Sequence, residues 1–265
     1  MNNPHISPKK KFSILTRLLK NNKSSSVPPL IEDGDTISNS KQKADILNQH
    51  FSSKATVPGE NDVPPNLCKF NVLSDLNNIN TSPLEVGKLL RDVKKSHQSY
   101  CGVPGKFISL ISTPISFPLS RMFNNMFEEG FFPDTFKLAH VTPIWKQKGL
   151  KSSKLFYRPI SLLPTLSKIM ESIIHSRLLS HLTENHIISD RQAAYMKGDS
   201  TTNQLLYIVH QIRSAWQMGN ICQAAFMDVD GAFEKVWHSG LHAKLKQACI
   251  TENAFKLFES YLSNR

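Results

Sequence analysis

The chain has 265 residues, of which 40% are hydrophobic, so it is long enough to bury a core as one large domain or two small ones. Its formal net charge of +11 at pH 7 favours a polyanionic partner, and nucleic acid is the usual one because phosphate neutralisation releases counterions. The sequence has neither a twenty-residue apolar run nor an N-terminal signal-peptide pattern. We therefore expect an intracellular protein, in the nucleus, the cytoplasm or both, that is neither secreted nor membrane-spanning.

Residues 1–40 are predicted to be a flexible basic linker. The first 30 residues contain no acidic side chain but carry several lysine residues and one arginine, and this stretch closes with the sequence S-S-S-V-P-P before Leu30. Such a composition is typical of solvated chain that cannot form a core. The cluster P-K-K-K could bind phosphate or act as a nuclear address, but it is a weak signal.

Residues 41–135 are predicted to form a helical N-terminal extension. The run Lys41–Ser53 has one apolar face and fits a short amphipathic helix. A second helix is expected to begin at a Ser82 cap, and a third is expected over Pro118–Phe127, with Gly130 ending it. The apolar stripes on these helices indicate core packing and not a cofactor site.

Two basic strands are predicted next, in the segment Ala139–Leu163. The sequence H-V-T-P-I-W ending at Trp145 alternates as a strand does, and Arg158–Leu162 is predicted as its partner after a lysine-rich connection. A basic hairpin of this kind can cover an anionic ligand, because arginine offers a planar fork to phosphate oxygens and lysine offers a point charge. The alternative is that the lysines of this hairpin are exposed to solvent and bind no ligand.

The apolar run Ala224–Met227 is predicted to be a central strand buried on both faces, ending at Asp228. A long helix with an apolar face from Leu166 to Leu182, and a second helix capped at Thr201, precede this strand. Ligands of helix-covered sheets bind beyond the carboxyl ends of the strands, so Asp228 could hold a metal ion there.

Three other interpretations apply to the pattern around Asp228. An aspartate at this place can simply end a strand before a turn. A calcium loop is excluded, because Gly231 comes too early and Ser239 stands where the twelfth ligand should be a glutamate. The run F-M-D-V-D-G-A resembles the first motif of haloacid-dehalogenase-like phosphatases, but Ala232 replaces their usual threonine, so this alternative is less favoured.

Three blocks of sequence together resemble the reverse transcriptases of non-LTR retrotransposons of the jockey and LINE type, over roughly residues 40–265. The blocks are Val141–Leu163, the segment Q-A-A-Y-M-K-G-D-S-T-T at Gln192–Thr202, and the palm motif D-x-x-x-A-F-D, matched by Asp228, Ala232, Phe233 and Glu234. They occur in the order of the family, and their combination is more specific than any one block. Ala194 and Met196 depart from the glycine and arginine that are usual in the second block.

The resemblance implies an RNA-directed DNA polymerase that transfers deoxynucleotides to a primer 3′-hydroxyl with two divalent metals, Mg²⁺ or Mn²⁺. Its partners would be an RNA template, a DNA primer and a dNTP. The implied fold is α/β (α+β), a polymerase right-hand fold in which residues 136–265 form the fingers and an incomplete palm. We expect the endonuclease domain that precedes the polymerase in this family to be absent from this chain.

The resemblance also assigns roles to single residues. Asp228 would be the catalytic residue and a metal ligand. The dNTP would be bound by Arg158, Lys146, Lys148, Ala232 and Phe233, with the ring of Phe233 beneath the sugar. Template or primer would be bound by Gln192, Tyr195 and Lys197.

The remaining metal ligands of the family come from a later hairpin with two adjacent aspartates, and no Asp-Asp pair occurs in this sequence. Several carboxylates are needed to hold two metal ions. We therefore predict that this polypeptide alone does not polymerise DNA. A non-catalytic nucleic-acid-binding relic is the alternative.

Overall fold

The computed structural model describes residues 27–55, 62–65, 70–94, 103–229 and 231–264. They form two compact units. The first unit comprises the described part of Met1–Lys54 together with Val141–Ile160, and the second comprises the described part of Ala55–His140 and Ser161–Arg265. The domain boundaries expected at residues 40 and 135 stay a prediction.

A small hairpin opens the first unit and corrects part of the linker prediction. Strands β1 (Leu30–Glu32) and β2 (Asp35–Ile37) pair in antiparallel fashion. Asp33 and Gly34 form the turn with φ of 52° and 91°, as a two-residue type I′ turn requires. The Asp-Gly signal was available in the sequence, but strands of three residues are too short to show alternation. Residues 1–26 of the predicted linker lie outside the described residues.

A helix and a second pair of strands complete the first unit's elements. The predicted helix is confirmed as α1 (Ser40–Lys54), and the predicted basic strands are confirmed as β3 (His140–Trp145) and β4 (Tyr157–Leu162), which pair with each other. A single 3₁₀ turn, Lys154–Phe156, leads into β4. The unit's own core consists of the buried side chains Leu30, Leu47 and Tyr157, with Val27, Ile46, Phe51 and Trp145 packed against them.

The second unit is built from helices. They are α2 (Pro83–Asp92), α3 (Gly105–Leu110), α4 (Ser112–Glu129), α5 (Asp134–Lys137), α6 (Thr165–Glu184), α7 (Thr201–Gln217), α8 (His238–Gln247) and α9 (Glu252–Leu262). Their largest fully buried side chains include Phe123, Phe127, Met170, Ile173 and Leu257. Together with strands β1 to β4, these helices confirm the predicted mixed class of helices and strands.

An ion pair joins α2 to α6 at the edge of this core. Ser82 caps α2 as predicted, accepting a hydrogen bond from the backbone N–H of Glu85 at 3.2 Å. The Glu85 carboxylate accepts hydrogen bonds from Arg177 at 2.6 Å and from the Thr81 hydroxyl at 2.7 Å. Burial alone raises the pKa of Glu85, but the hydrogen bonds from Arg177 and Thr81 and the Arg177 charge outweigh it and lower the pKa below its usual value.

The variant Glu85→Gln is expected to lower the free energy of unfolding by about 1–2 kcal/mol at pH 7, because it removes a charge-assisted hydrogen bond. A lowered carboxyl pKa stabilises the fold above the unfolded value near 4.5 and loses this contribution as the pH falls through the folded value. Urea unfolding from pH 7 to pH 3 should therefore show the difference between variant and wild type shrinking. The exposed Glu128→Gln is the control, and an equal effect there would contradict the prediction.

Gly130 ends α4 as predicted, in the left-handed conformation with φ of 66°. A Cβ atom at this position would lie 2.6 Å from Cβ of Lys256 and 3.0 Å from the Asn253 carbonyl oxygen on α9. Both the backbone conformation and the contact with α9 therefore require glycine.

We expect Gly130→Ala to destabilise the protein by about 2 kcal/mol or more, since it combines left-handed strain with a clash. Gly219→Ala is a matched control, because Gly219 has φ of 73° but no atom within 4 Å of the added Cβ. In thermal unfolding, the melting temperature of the control should lie between those of the wild type and Gly130→Ala. Equal losses in both variants would show that the contact with α9 contributes nothing.

The predicted central strand is wrong for this structure. Residues 221–229 belong to no helix or strand, and Phe226 and Met227 are 84% and 94% exposed. A central strand needs a partner strand on each side and helices packed over both faces of the sheet, and the described residues provide two separate two-stranded sheets, neither of which includes this segment. The preceding helix α7 likewise has no buried residue. Within the described ranges, no helix is long and apolar enough to cross a membrane.

Candidate nucleic-acid interface

The loop between β3 and β4 gives the first unit a basic surface. The segment from Val141 to Leu162 contains lysine and arginine but no acidic residue. The backbone N–H of Lys146 donates to the Phe156 carbonyl oxygen at 2.8 Å, which joins the two ends of the loop. The Lys148 and Arg158 side chains are both exposed. Arg158 alternates with the buried Tyr157 along β4, so the strand itself directs Arg158 to solvent.

Other contacts hold this loop in place. The Lys151 ammonium lies 4.7 Å from the centre of the Trp145 ring, and the Tyr157 hydroxyl donates to the Lys151 carbonyl at 2.7 Å. The Lys154 ammonium pairs with the Glu32 carboxylate. The loop cations are therefore attached to a fixed scaffold, which reduces the entropy lost when they bind an anion.

His50 on α1 adds to this basic region and was missed by the sequence analysis. Burial lowers the pKa of His50, and the nearby charges of Lys54, Lys154 and Lys146 lower it further, while Glu32 opposes them. Because the side chains come from α1 and from the loop, the cluster is visible only once the fold brings them together. The sequence analysis assigned no role to Lys54 or Lys154.

A polar region lies in the second unit, in the segment between α6 and α7. It encloses an open surface cavity of about 620 Å³. The cavity is lined by Thr183, His186, Ile188, Ser189, Asp190, Gln192, Met196, Lys197, Gly198, Asp199, Asn203 and Gln204. Two of the predicted nucleic-acid-binding residues, Gln192 and Lys197, therefore share one cavity.

The start of α7 shapes one wall of this cavity. Ser200, and not the predicted Thr201, is the N-cap, and its hydroxyl accepts from the Asn203 backbone N–H at 3.2 Å. The Asp199 carboxylate accepts from the Ser200 N–H at 2.7 Å and from the Gln204 amide at 2.8 Å. Asn203 and Gln204 line the cavity but were missed, since amides in a first helical turn give no distinctive sequence signal.

The structure brings together two predicted residues that lie in different sequence blocks. The rings of Tyr195 and Phe233 meet edge to face, with centroids 5.9 Å apart and planes at 89°. Both side chains are largely exposed, at 79% and 74%. Phe233 and Ala232 belong to the turn at residues 231–235, which follows Asp228 closely.

Asp228 is exposed and lies outside any helix or strand. Among the described residues, no three histidine, cysteine, aspartate or glutamate side chains are grouped so that they could hold a metal ion. A two-metal site needs several carboxylates converging from different segments. The described residues do not by themselves fit such a site, and Asp228 would be one ligand of it at most.

The predicted residues are thus divided between the two units. Lys146, Lys148 and Arg158 lie in the first unit. The second unit contains the residues of the cavity, the aromatic pair and Asp228. Each unit therefore has its own candidate surface for an anionic or nucleic-acid ligand.

Comparison with known proteins supports a common origin for these elements. The family model described as reverse transcriptase (RNA-dependent DNA polymerase) matches residues 146–265, from the hairpin loop to the end of the chain. Residues 146–265 therefore resemble the reverse transcriptases. The match to this reverse transcriptase domain includes every predicted site residue.

Relatives of this reverse transcriptase domain come from mobile elements. The chain is 35% identical over 147 residues to the probable RNA-directed DNA polymerases from transposons BS and X-element of Drosophila melanogaster. It is 33% identical over 147 residues to the RNA-directed DNA polymerase from mobile element jockey of the same species. These alignments cover 56% of the chain but 16% of each relative's length. The predicted resemblance to non-LTR retrotransposon reverse transcriptases is therefore confirmed.

Proposed function

We propose that this chain acts in reverse transcription as part of the RNA-directed DNA polymerase of a non-LTR mobile element. The polymerase would extend the 3′-hydroxyl of a DNA primer along an RNA template. The observation that carries the proposal is the family match over residues 146–265, which includes both the basic hairpin loop and the motif around Asp228. We propose the nucleus, the cytoplasm or both as its location, because such an enzyme acts on nucleic acid inside the cell.

The first unit is proposed to bind the triphosphate of the incoming nucleotide. Arg158 and Lys148 are exposed on the hairpin, and Lys146 lies where the loop begins. Arginine can contact two phosphate oxygens at once, whereas each lysine neutralises charge without fixing an orientation. The absence of acidic residues from Val141 to Leu162 supports this assignment, since no neighbouring carboxylate in that segment competes with the ligand.

The second unit is proposed to bind the nucleic-acid strands through Gln192, Tyr195 and Lys197. Lys197 would contact phosphate, and the Gln192 amide can exchange hydrogen bonds with a base or a sugar. Ala232 and Phe233 are proposed to contact the nucleotide. Their turn follows directly on Asp228, and the ring contact between Phe233 and Tyr195 supports a shared site.

Mg²⁺ or Mn²⁺ is the proposed cofactor, and Asp228 is proposed as one of its ligands. The chain contains no Asp-Asp pair. The 265-residue polypeptide is therefore expected to bind primer and template without extending the primer. Asp228 is exposed, and among the described residues it is not grouped with other side chains that could hold a metal ion, which favours the alternative function of nucleic-acid binding without turnover.

Fluorescence anisotropy with a labelled RNA–DNA primer-template tests this function. We expect binding that weakens steeply as salt rises from about 0.05 to 0.2 M, because phosphate contacts release counterions. The same samples, supplied with Mg²⁺ and dNTPs, should show no primer extension. Binding that does not depend on salt concentration, or no binding at all, would overturn the proposed function. Efficient primer extension would overturn the prediction that this polypeptide lacks the carboxylates needed for catalysis.

A further inference from the structure

The pair formed by Tyr195 and Phe233 has an unusual setting for two aromatic side chains. The two rings meet edge to face, and 79% of Tyr195 and 74% of Phe233 stay exposed. Leaving two such rings in water forgoes burial worth about 1.5–3 kcal/mol for each large apolar side chain. Exposed aromatic surface held in a defined geometry is typical of a binding site.

The backbone of Tyr195 points to the same conclusion. Its φ of 63° lies in the left-handed region, which a bulky residue rarely adopts. Such conformations cost of order 1 kcal/mol or more and cluster at ligand-binding sites.

The cavity between α6 and α7 is lined by sequence neighbours of Tyr195. Its lining includes Gln192, which precedes Tyr195 in the sequence, and Lys197, which follows it. The amide side chains of Asn203 and Gln204 also line the cavity. Its volume of about 620 Å³ falls within the range of small-molecule sites. The amides offer donors and acceptors, as the edge of a nucleobase requires.

The charged side chains around the cavity are of both signs. Lys197 provides a cation, whereas two carboxylates, Asp190 and Asp199, also line the cavity. The Asp199 carboxylate accepts hydrogen bonds from Ser200 and Gln204, which orient it without cancelling its charge. The cavity is therefore better suited to the neutral edge of a base than to a phosphate group.

We propose that the Tyr195–Phe233 pair is a stacking platform for an unpaired nucleobase of a single strand, whose polar edge or neighbouring nucleotide enters the amide-lined cavity. This inference rests on the proposed function and specifies the ligand of that site. Every base has an aromatic face, so the platform accepts any sequence, and selectivity arises from the edge. RNA and DNA single strands share this chemistry.

The test compares single strands of about twelve nucleotides with strands of the same length in which all bases are replaced by abasic sugars. Phosphate charge is then equal, and the difference in affinity reports the bases alone. For the full chain we expect the strand with bases to bind about tenfold or more tightly, since stacking contributes strongly for each base. Running RNA and DNA strands in parallel shows which sugar is preferred.

Three variants localise the effect. Tyr195→Ala and Phe233→Ala should each remove most of the difference in affinity between the strand with bases and the abasic strand, whereas Tyr195→Phe should keep this difference. Phe117→Ala is the matched control, because Phe117 is an aromatic residue of the second unit that is 65% exposed on α4. All four substitutions are at exposed side chains, and circular dichroism would verify that each variant folds.

Three outcomes distinguish this inference from the proposed function. Equal, salt-dependent binding of the normal and abasic strands would overturn the stacking platform and leave nucleic-acid binding intact. A base-dependent affinity that survives in both alanine variants would likewise overturn it. Failure of every strand and of the primer-template to bind would instead overturn the proposed function.

Discussion

Replacing Phe123 with alanine is expected to destabilise the second unit by about 3–5 kcal/mol, the largest stability effect predicted for any single substitution in this chain. Phe123 is fully buried on α4, and its ring lies 6.4 Å from that of Phe127. The substitution removes the burial of the ring and leaves a cavity that neighbouring helices fill only in part. Since domains of this size have about 5–15 kcal/mol of stability, a large fraction would be lost.

Denaturant unfolding followed by circular dichroism measures this effect. Phe117→Ala is the control on the same helix, because Phe117 is 65% exposed and its removal should cost less than about 0.5 kcal/mol. Comparable losses from the two variants would mean that α4 does not face the core in the observed orientation.

Neutralising three cations of the hairpin should cause the largest loss of nucleic-acid binding. The triple variant Lys146→Gln, Lys148→Gln, Arg158→Gln is expected to weaken binding about a hundredfold at 0.1 M salt and to lower the salt slope by about 2 to 3. Each lost phosphate contact removes close to one released counterion, so affinity and slope should fall together. Anisotropy titrations at several salt concentrations measure both quantities.

A matched variant separates local contacts from total charge. Lys41, Lys88 and Lys106 are exposed lysines on helices α1, α2 and α3. Changing all three to glutamine removes the same net charge from places without a proposed contact. If this control weakens binding as much as the hairpin variant does, the chain attracts nucleic acid through its overall charge, and the hairpin has no special role.

Local signals were sufficient to predict most of the helices and one of the two hairpins. Strands β3 and β4 alternate strongly enough to be identified, and the cap at Ser82 and the end at Gly130 lie where the sequence places them. Such features depend on residues close in the chain, so the sequence alone defines them. Helix α6 has a long apolar face and is equally well defined.

Features that depend on distant parts of the chain were not predictable in the same way. The apolar run Ala224–Met227 has the composition of a central strand, but composition cannot provide the partner strands that such a strand requires. The contact between Tyr195 and Phe233 joins segments almost forty residues apart, and neither segment contains a local sequence signal that predicts it. The cluster around His50 depends in the same way on α1 meeting the hairpin loop.

Helix α7 differs from the other long helices in what holds it together. None of its residues is buried, and its apolar side chains Leu205 and Leu206 are both 63% exposed. Its stability therefore depends on helix propensity and the Ser200 cap, and an isolated helix of this length is only marginally stable in water. The backbone amides of α7 should exchange with deuterium orders of magnitude faster than those of α4. In thermodynamic terms, α7 can melt and re-form while the core of the second unit stays intact.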